Sequence, residues 1–351
     1  MRRRVLTGLV LACVLALVGI VAVRATKGSL PRPQSAAAET VATTVPETFA
    51  PGTMPPTTEA PTTVPPTTTT TAPPATTTTA APKPLHDLTV YSGLGTWVDV
   101  YDWSDAFNQG TPKFTTADID RMAAMGAQTL YIQTSKSESP TDILEPEHLL
   151  PLISRAVADH LSVVAWYLPT FEDEPLDLRR LITSANLKGV DAVAVDIESE
   201  KVDDVSVRNE RLLALTAGLR AALPKTTIGG IVYPPIVTDV LNHHIWPNFP
   251  WKQLSPSYDV WMPMDYQSFR TAGSADRNAY NYTAQNIDRL RAHLGYDAPV
   301  HAIGGIADQT TTADVRDMLR ASVERHALGG SLYDYRTTGA GLWPALKPFR
   351  R

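Results

Sequence analysis

Cysteine is all but missing from this chain: among 351 residues there is one, Cys13. Whatever folds downstream therefore has no disulfide, no thiolate nucleophile and no cysteine-bound metal, and its stability rests on an ordinary packed core. Cys13 reads as a membrane-buried side chain rather than a lipid-attachment site, because the apolar run continues ten residues beyond it. Basic charge is scarce as well. Seven of the 31 basic and three of the 36 acidic residues precede Leu85, which leaves 24 Lys and Arg against 33 Asp and Glu, near net -9, in residues 85–351. Such a surface is a poor partner for nucleic acid and other polyanions. No HExxH, GxxxxGK[ST] or GxSxG occurs, so the usual zinc-peptidase, phosphate-loop and nucleophile-elbow signatures are missing. The eight histidines are scattered, and the adjacent pair His243–His244 reads as surface histidines of a loop. Neither a metal ion nor a cofactor is expected.

What is present divides into three zones. Residues 1–28 open with Arg2, Arg3 and Arg4 and run apolar from Val5 to Val23, about the length needed to cross a bilayer core. Arginines stay on the cytoplasmic side, which sends the rest of the chain across the membrane. The segment is expected to be a membrane anchor or a cleaved signal, the length favouring the anchor. Residues 29–84 are a Pro/Thr-rich linker, "PPTTEAPTTVPPTTTTTAPPATTTTAAPKP", too poor in apolar side chains to offset the entropy of ordering. At roughly 3 Å per residue, where polyproline II forms, it reaches up to ~150 Å, enough for a stalk through a cell wall. The expected location is extracytoplasmic.

From Thr96 onward, apolar runs alternate with helical patterns. The expected strands are "TWVDVYDW", "TLYIQTS", "SVVAWYLPTF", "VDAVAVDIES", "TIGGIVYPP", "YDVWMPMDYQ", "PVHAIGGIAD" and "GGSLYDYRTTG". Between them lie segments with apolar residues at three and four spacing, several opening on Thr, Ser or Asp. Eight such units in about 265 residues point to an α/β fold, a closed (β/α)8 TIM barrel over residues 85–351. The fifth unit is irregular: Pro247, Pro250 and Pro256 break its helix, and its loop carries Trp246, Phe249 and Trp251, which either rim a cleft or pin the loop to the barrel.

Active sites of such barrels lie at the C-terminal strand ends, and polar residues gather there. Asp99 and Tyr101 close the first strand, Gln133 the second, Trp166 and Tyr167 the third, Asp196 and Glu198 the fourth, and Tyr233 the fifth. Asp265, Tyr266 and Gln267 close the sixth, Asp334 and Tyr335 the eighth. Asp196 and Glu198 are the sharpest pair, since residues two apart on a strand share a face about 6 to 7 Å apart. Carboxylates with Tyr, Trp and Gln suit a sugar: rings stack on a pyranose, amides and carboxylates take its hydroxyls, and two acids cleave a glycosidic bond. The expected partner is a polysaccharide or other glycan, with Glu198 as acid, Asp196 or Asp265 as the ionised partner, and the remaining residues binding substrate. Two alternatives stand beside a glycosidase: a catalytically inactive glycan-binding barrel, and a deacetylase or lyase.

These residues resemble the exported glycoside hydrolases with β/α barrels, above all family 18, the chitinase-like enzymes, and a group of exported glycoside-hydrolase-like proteins of unassigned activity. "DAVAVDIE", Asp191 to Glu198, is similar to the family's fourth-strand DGxDxDxE, with Ala192 and Ala194 replacing glycine and the second aspartate. "MPMD", Met262 to Asp265, resembles MxYD with Met264 at the tyrosine. "GGSLYD" resembles GGxMxW with Asp334 at the tryptophan. The resemblance implies that Glu198 protonates the leaving oxygen and that Asp196 orients the substrate's own N-acetyl group. Ala194 removes a buried partner of Asp196, and the absent tyrosine removes a hydrogen bond to that group. More distantly, "WVDVYDWS" is similar to an early motif of the family 25 lysozymes, which cut peptidoglycan.

Overall fold

The computed structural model describes residues 86–108 and 113–351; the apolar segment 1–28 and the linker expected over 29–84 lie outside them. Among the described residues no helix is long and apolar enough to cross a membrane. Eight parallel strands close in sequence order into one barrel: β1 Gly93–Val98, β2 Thr129–Gln133, β3 Ser162–Tyr167, β4 Ala192–Ile197, β5 Thr227–Val232, β6 Val260–Asp265, β7 His301–Ile306 and β8 Gly329–Tyr333. A helix follows each in turn: α1 Thr116–Ala124, α2 Pro146–Ala158, α3 Glu174–Ala185, α4 Val205–Ala222, α5 Trp251–Leu254, α6 Ala279–Leu294, α7 Thr312–Glu324 and α8 Trp343–Leu346.

Local chemistry fixes the element ends. At α7, Thr311 Oγ1 accepts from the Asp314 amide (3.1 Å) while the Asp314 carboxylate accepts from the Thr311 amide (2.9 Å), a reciprocal cap satisfying two donors that a helix start leaves open. Asp204 caps α4 through the amides of Ser206 and Val207, and Asn278 caps α6. The first strand starts and stops earlier than the expected Thr96–Trp103. The Asp99 carboxylate accepts from the Tyr101 amide (2.8 Å) and starts one helical turn, Val100–Trp103, so the chain leaves the sheet at Val98.

In the fifth unit a π-helical turn, Val237–Leu241, precedes the four residues of α5. The loop's aromatics pin it down. Trp246 is buried, donates Nε1–H to Asn209 of α4 (2.7 Å) and lies under the Arg208 guanidinium (4.6 Å), while Trp251 stacks on His293 of α6 (5.2 Å). Of the two roles open to these rings, the contacts match pinning.

Cross-strand register decides which residues face the lumen. Trp97 pairs with Tyr131, Gln133 with Trp166, Trp166 with Ala194, Ala194 with Gly229, Asp196 with Ile231, and Ile231 with Met262, so these share the inner face. The barrel floor is aromatic and polar rather than aliphatic. Trp97 stacks on Tyr131 (4.2 Å) and donates to Ser331 Oγ (2.8 Å), Ser331 reaches His301 Nε2 (3.0 Å), and His301 Nδ1–H donates to the Tyr91 carbonyl (2.9 Å). Burial pushes His301 down to about 4, so this relay holds a neutral imidazole with both nitrogens satisfied. Small residues make room for the rings: a Cβ on Gly95 would collide with Tyr131, and one on Gly229 would lie 2.9 Å from the Tyr91 ring.

Candidate active site

Above that floor, β4 delivers its two acids. Ala192 and Ala194 face the lumen, and two residues further the Asp196 side chain follows them at the C-terminal end. Asp196 is 6% exposed, and its Oδ1 is buried with no hydrogen-bond partner. Glu198, one step higher and half-buried, has no side-chain hydrogen bond among the described residues; its backbone carbonyl accepts from the Tyr233 hydroxyl (2.8 Å). Burial first, then the neighbouring Glu198 charge, pushes Asp196 well above the carboxylate range. Glu198 is raised to about 7 by burial and by Glu200. Burial and like charge thus push both carboxyls toward their protonated forms. The expectation that Asp196 is the ionised partner meets an opposing force, since burial favours its neutral form.

A second group of acids gathers where β1 and β8 end. Asp99, Asp102 and Asp334 are all buried, with carboxylate oxygens within 4.8 Å of one another. Asp99 accepts from the Tyr333 hydroxyl (2.8 Å) and is raised to about 6 by burial and by Asp334. Asp334 accepts from the amide and hydroxyl of Thr337 (2.9 and 2.8 Å). Asp102 forms an ion pair with Arg336, yet its Oδ2 has no partner. Tyr266 lies between the two groups, its hydroxyl raised by burial and by the charges of Glu198, Asp196 and Asp334. The rings of Trp166, Trp97, Tyr333 and Tyr266 follow one another, with centroids 6.0, 6.4 and 6.3 Å apart. Trp166 Nε1–H is buried and has no acceptor.

The other sequence-expected residues divide. Tyr233 stands beside Glu198, donating also to Glu200 (3.2 Å), and Gln133 faces inward but spends its amide oxygen on the Val100 amide (3.1 Å). Four point elsewhere. Asp265 is fully buried on the outer face of β6, where Thr283 and Asn286 of α6 are its neighbours and burial holds it well up. Tyr167 turns outward and donates to Asp177 of α3 (2.7 Å). Tyr335 packs against Phe114 (5.4 Å) and Trp343 (6.1 Å), and Tyr101 sits on the helical turn after β1 against Phe107 (6.0 Å). Gln267 packs against β7, where a Cβ on Gly305 would lie 2.9 Å from its Oε1. Asp191, the first aspartate of the fourth-strand motif, sits at the opposite end of β4 and accepts from the Val163 amide (2.9 Å). Sequence reasoning missed Trp97, Tyr333 and Glu200 as site residues. Tyr333 had a signal, its place two residues past Ser331 on a strand ending in acids.

No family model matches the chain, and no curated protein matches it. Solved structures do. The chain is similar in fold to the spore cortex-lytic enzyme SleL of Bacillus megaterium QM B1551 (9% identity, TM-score 0.53, 74% of each chain covered). It is similar to the same degree to a family 18 chitinase of Cycas revoluta solved with (GlcNAc)3 (12%, TM-score 0.54, 74% of this chain and 99% of that one). A class V chitinase of Pseudomonas fluorescens Pf-5 overlays with 10% identity and TM-score 0.53, over 74% of this chain and 100% of that one. The chain is thus a (β/α)8 barrel of the architecture that family 18 chitinases share.

Proposed function

We propose that the protein is a glycoside hydrolase acting on a cell-envelope or extracellular polysaccharide, with Glu198 as proton donor. The observation that carries this reading is a half-buried carboxyl raised to about 7, free of side-chain hydrogen bonds, at the catalytic end of β4 with a second, buried carboxyl on the same face. A group at that pKa is protonated often enough near neutrality to donate and is then basic enough to take a proton back. The Glu198 proton passes to the glycosidic oxygen, the C1–O bond breaks, and positive charge develops over C1 and the ring oxygen. Asp196 stands one step deeper, toward the C2 substituent of that sugar. Water adds at C1 and returns its proton to the Glu198 carboxylate. Proteins of similar fold support the substrate class: one is a cortex-lytic enzyme, and another was solved with (GlcNAc)3. The N-terminal apolar segment supports export, with the barrel held to the membrane or released after cleavage.

A glycan-binding barrel without turnover is the second reading, favoured by Ala194 and Met264, which replace two polar residues of the family's motifs. Reducing-end release from peptidoglycan, chitin and envelope glycans, with Glu198→Gln beside the wild type, separates them. Release that collapses in the variant supports the hydrolase. Binding by both proteins with turnover by neither supports the binding protein.

A further inference from the structure

We propose that the sugar held over Asp196 carries a free amino group, so that the barrel takes a cationic glycan containing de-N-acetylated hexosamine; this rests on the glycosidase reading above. The mouth is built from acids on three strand ends: Asp99 after β1, Asp196, Glu198 and Glu200 from β4 onward, and Asp334 after β8, with Asp102 beside them. The cations that touch the group are already committed. Arg336 is paired with Asp102 and its backbone carbonyl, and Arg208 serves the carbonyls of Val202 and Ile245 and the face of Trp246. What the mouth lacks, among the described residues, is an uncommitted positive charge, and a ligand can bring one.

Beyond the number of acids, the Asp196 Oδ1 is buried without a partner, and strand register turns its side chain to the lumen. An orphaned buried acceptor costs free energy until a donor arrives. The rings of Trp166, Trp97, Tyr333 and Tyr266 follow one another, and strand register puts Trp97 and Trp166 on the same inner face as Asp196. A carboxyl group and aromatic rings on one inner face are the chemistry that recognises an ammonium, and the cation's charge favours the ionised form of Asp196 that burial opposes. In a hexosamine the nitrogen is on C2, bonded to C1. With the glycosidic oxygen at Glu198, that nitrogen falls one bond further in, toward Asp196. An ammonium brings three donors and no acceptor, whereas a neutral acetamido group leaves every acid here without a counter-charge. The eighth-strand residue Asp334, which stands where the family motif has tryptophan, adds a carboxylate at the end of β8, and its charge reaches the Tyr266 hydroxyl as those of Asp196 and Glu198 do.

The test is calorimetric titration of full-length Glu198→Gln with (GlcN)4 and (GlcNAc)4. The expected result is at least tenfold tighter binding of (GlcN)4, a preference that shrinks severalfold between 50 and 500 mM salt and is lost in Glu198→Gln/Asp334→Asn. Asp99→Asn in place of Asp334→Asn gives the same loss if the second double variant does not fold. Equal affinity for the two oligomers, tighter binding of (GlcNAc)4, no binding of (GlcN)4, or a preference indifferent to both aspartates overturns the proposal. Binding is read without turnover, so an absence of hydrolysis counts against the glycosidase reading and not against this one.

Discussion

Glu200 offers a quantitative perturbation, because it is the charge that raises Glu198 after burial has acted. It lies two residues further along, ~6.6 Å away on an extended chain. At that separation two unit charges interact by about 2.5 kcal/mol with an effective dielectric of 20, and by about 1.3 kcal/mol with 40. Glu200 is half-buried, bonded to Tyr233 and near Arg208, so the screened end applies, which is roughly one pKa unit. Glu200→Gln is therefore expected to lower Glu198 from about 7 toward 6. A proton donor works below its pKa, so the alkaline limb of kcat/KM moves about one pH unit toward acid while the acid limb stays. Carbon-13 NMR titration of labelled glutamate carboxyls reads the same shift without substrate. An unmoved resonance, or one that moves upward, refutes the electrostatic account of this acid.

Inward and outward positions give opposite phenotypes. Tyr167→Phe leaves the Asp177 Oδ1 without its hydroxyl donor and is expected to cost about 1 to 2 kcal/mol in urea unfolding with unchanged kcat/KM; a loss of activity at full stability contradicts the outward assignment. Tyr266→Phe is expected to do the reverse, lowering kcat/KM with little change in unfolding midpoint. Asp265 tests linkage. Its folded pKa is raised above the unfolded value near 3.8, so the native state holds its proton longer and stability falls as pH rises through the window above 3.8. Asp265→Asn removes that term, so its advantage in unfolding midpoint over wild type should grow from pH 5 to pH 8; a constant difference means Asp265 is not a buried acid.

The barrel was legible because alternating strand and helix patterns leave few topologies, and Asp196 with Glu198 was legible because a period of two forces both onto one face. Parity was not. Strands of a parallel barrel are apolar on both faces, so Asp265 and Tyr266, adjacent and equally polar, give no hint which one turns inward. Register supplies it: Ile231 against Met262 sets even positions of β6 inward, which puts Tyr266 in the mouth and Asp265 against α6. The same one-residue ambiguity placed Tyr167 beside Trp166 at the mouth. Tyr101 and the end of β1 were misjudged for another reason: Asp99 reads as a strand-end acid, and its capping of the next turn depends on a backbone bend that composition does not specify. Trp97 and Tyr333 were passed over because aromatics within a strand ordinarily fill a core.

The central claim is that a glycosidic oxygen meets the side chain at position 198. The most direct measurement is a crystal structure of Glu198→Gln with a bound tetrasaccharide of whichever glycan the wild type cleaves. The scissile oxygen is expected within about 3 Å of the introduced amide, with the C2 substituent against Asp196. A saccharide seated elsewhere on the barrel, with the amide facing only water, contradicts it.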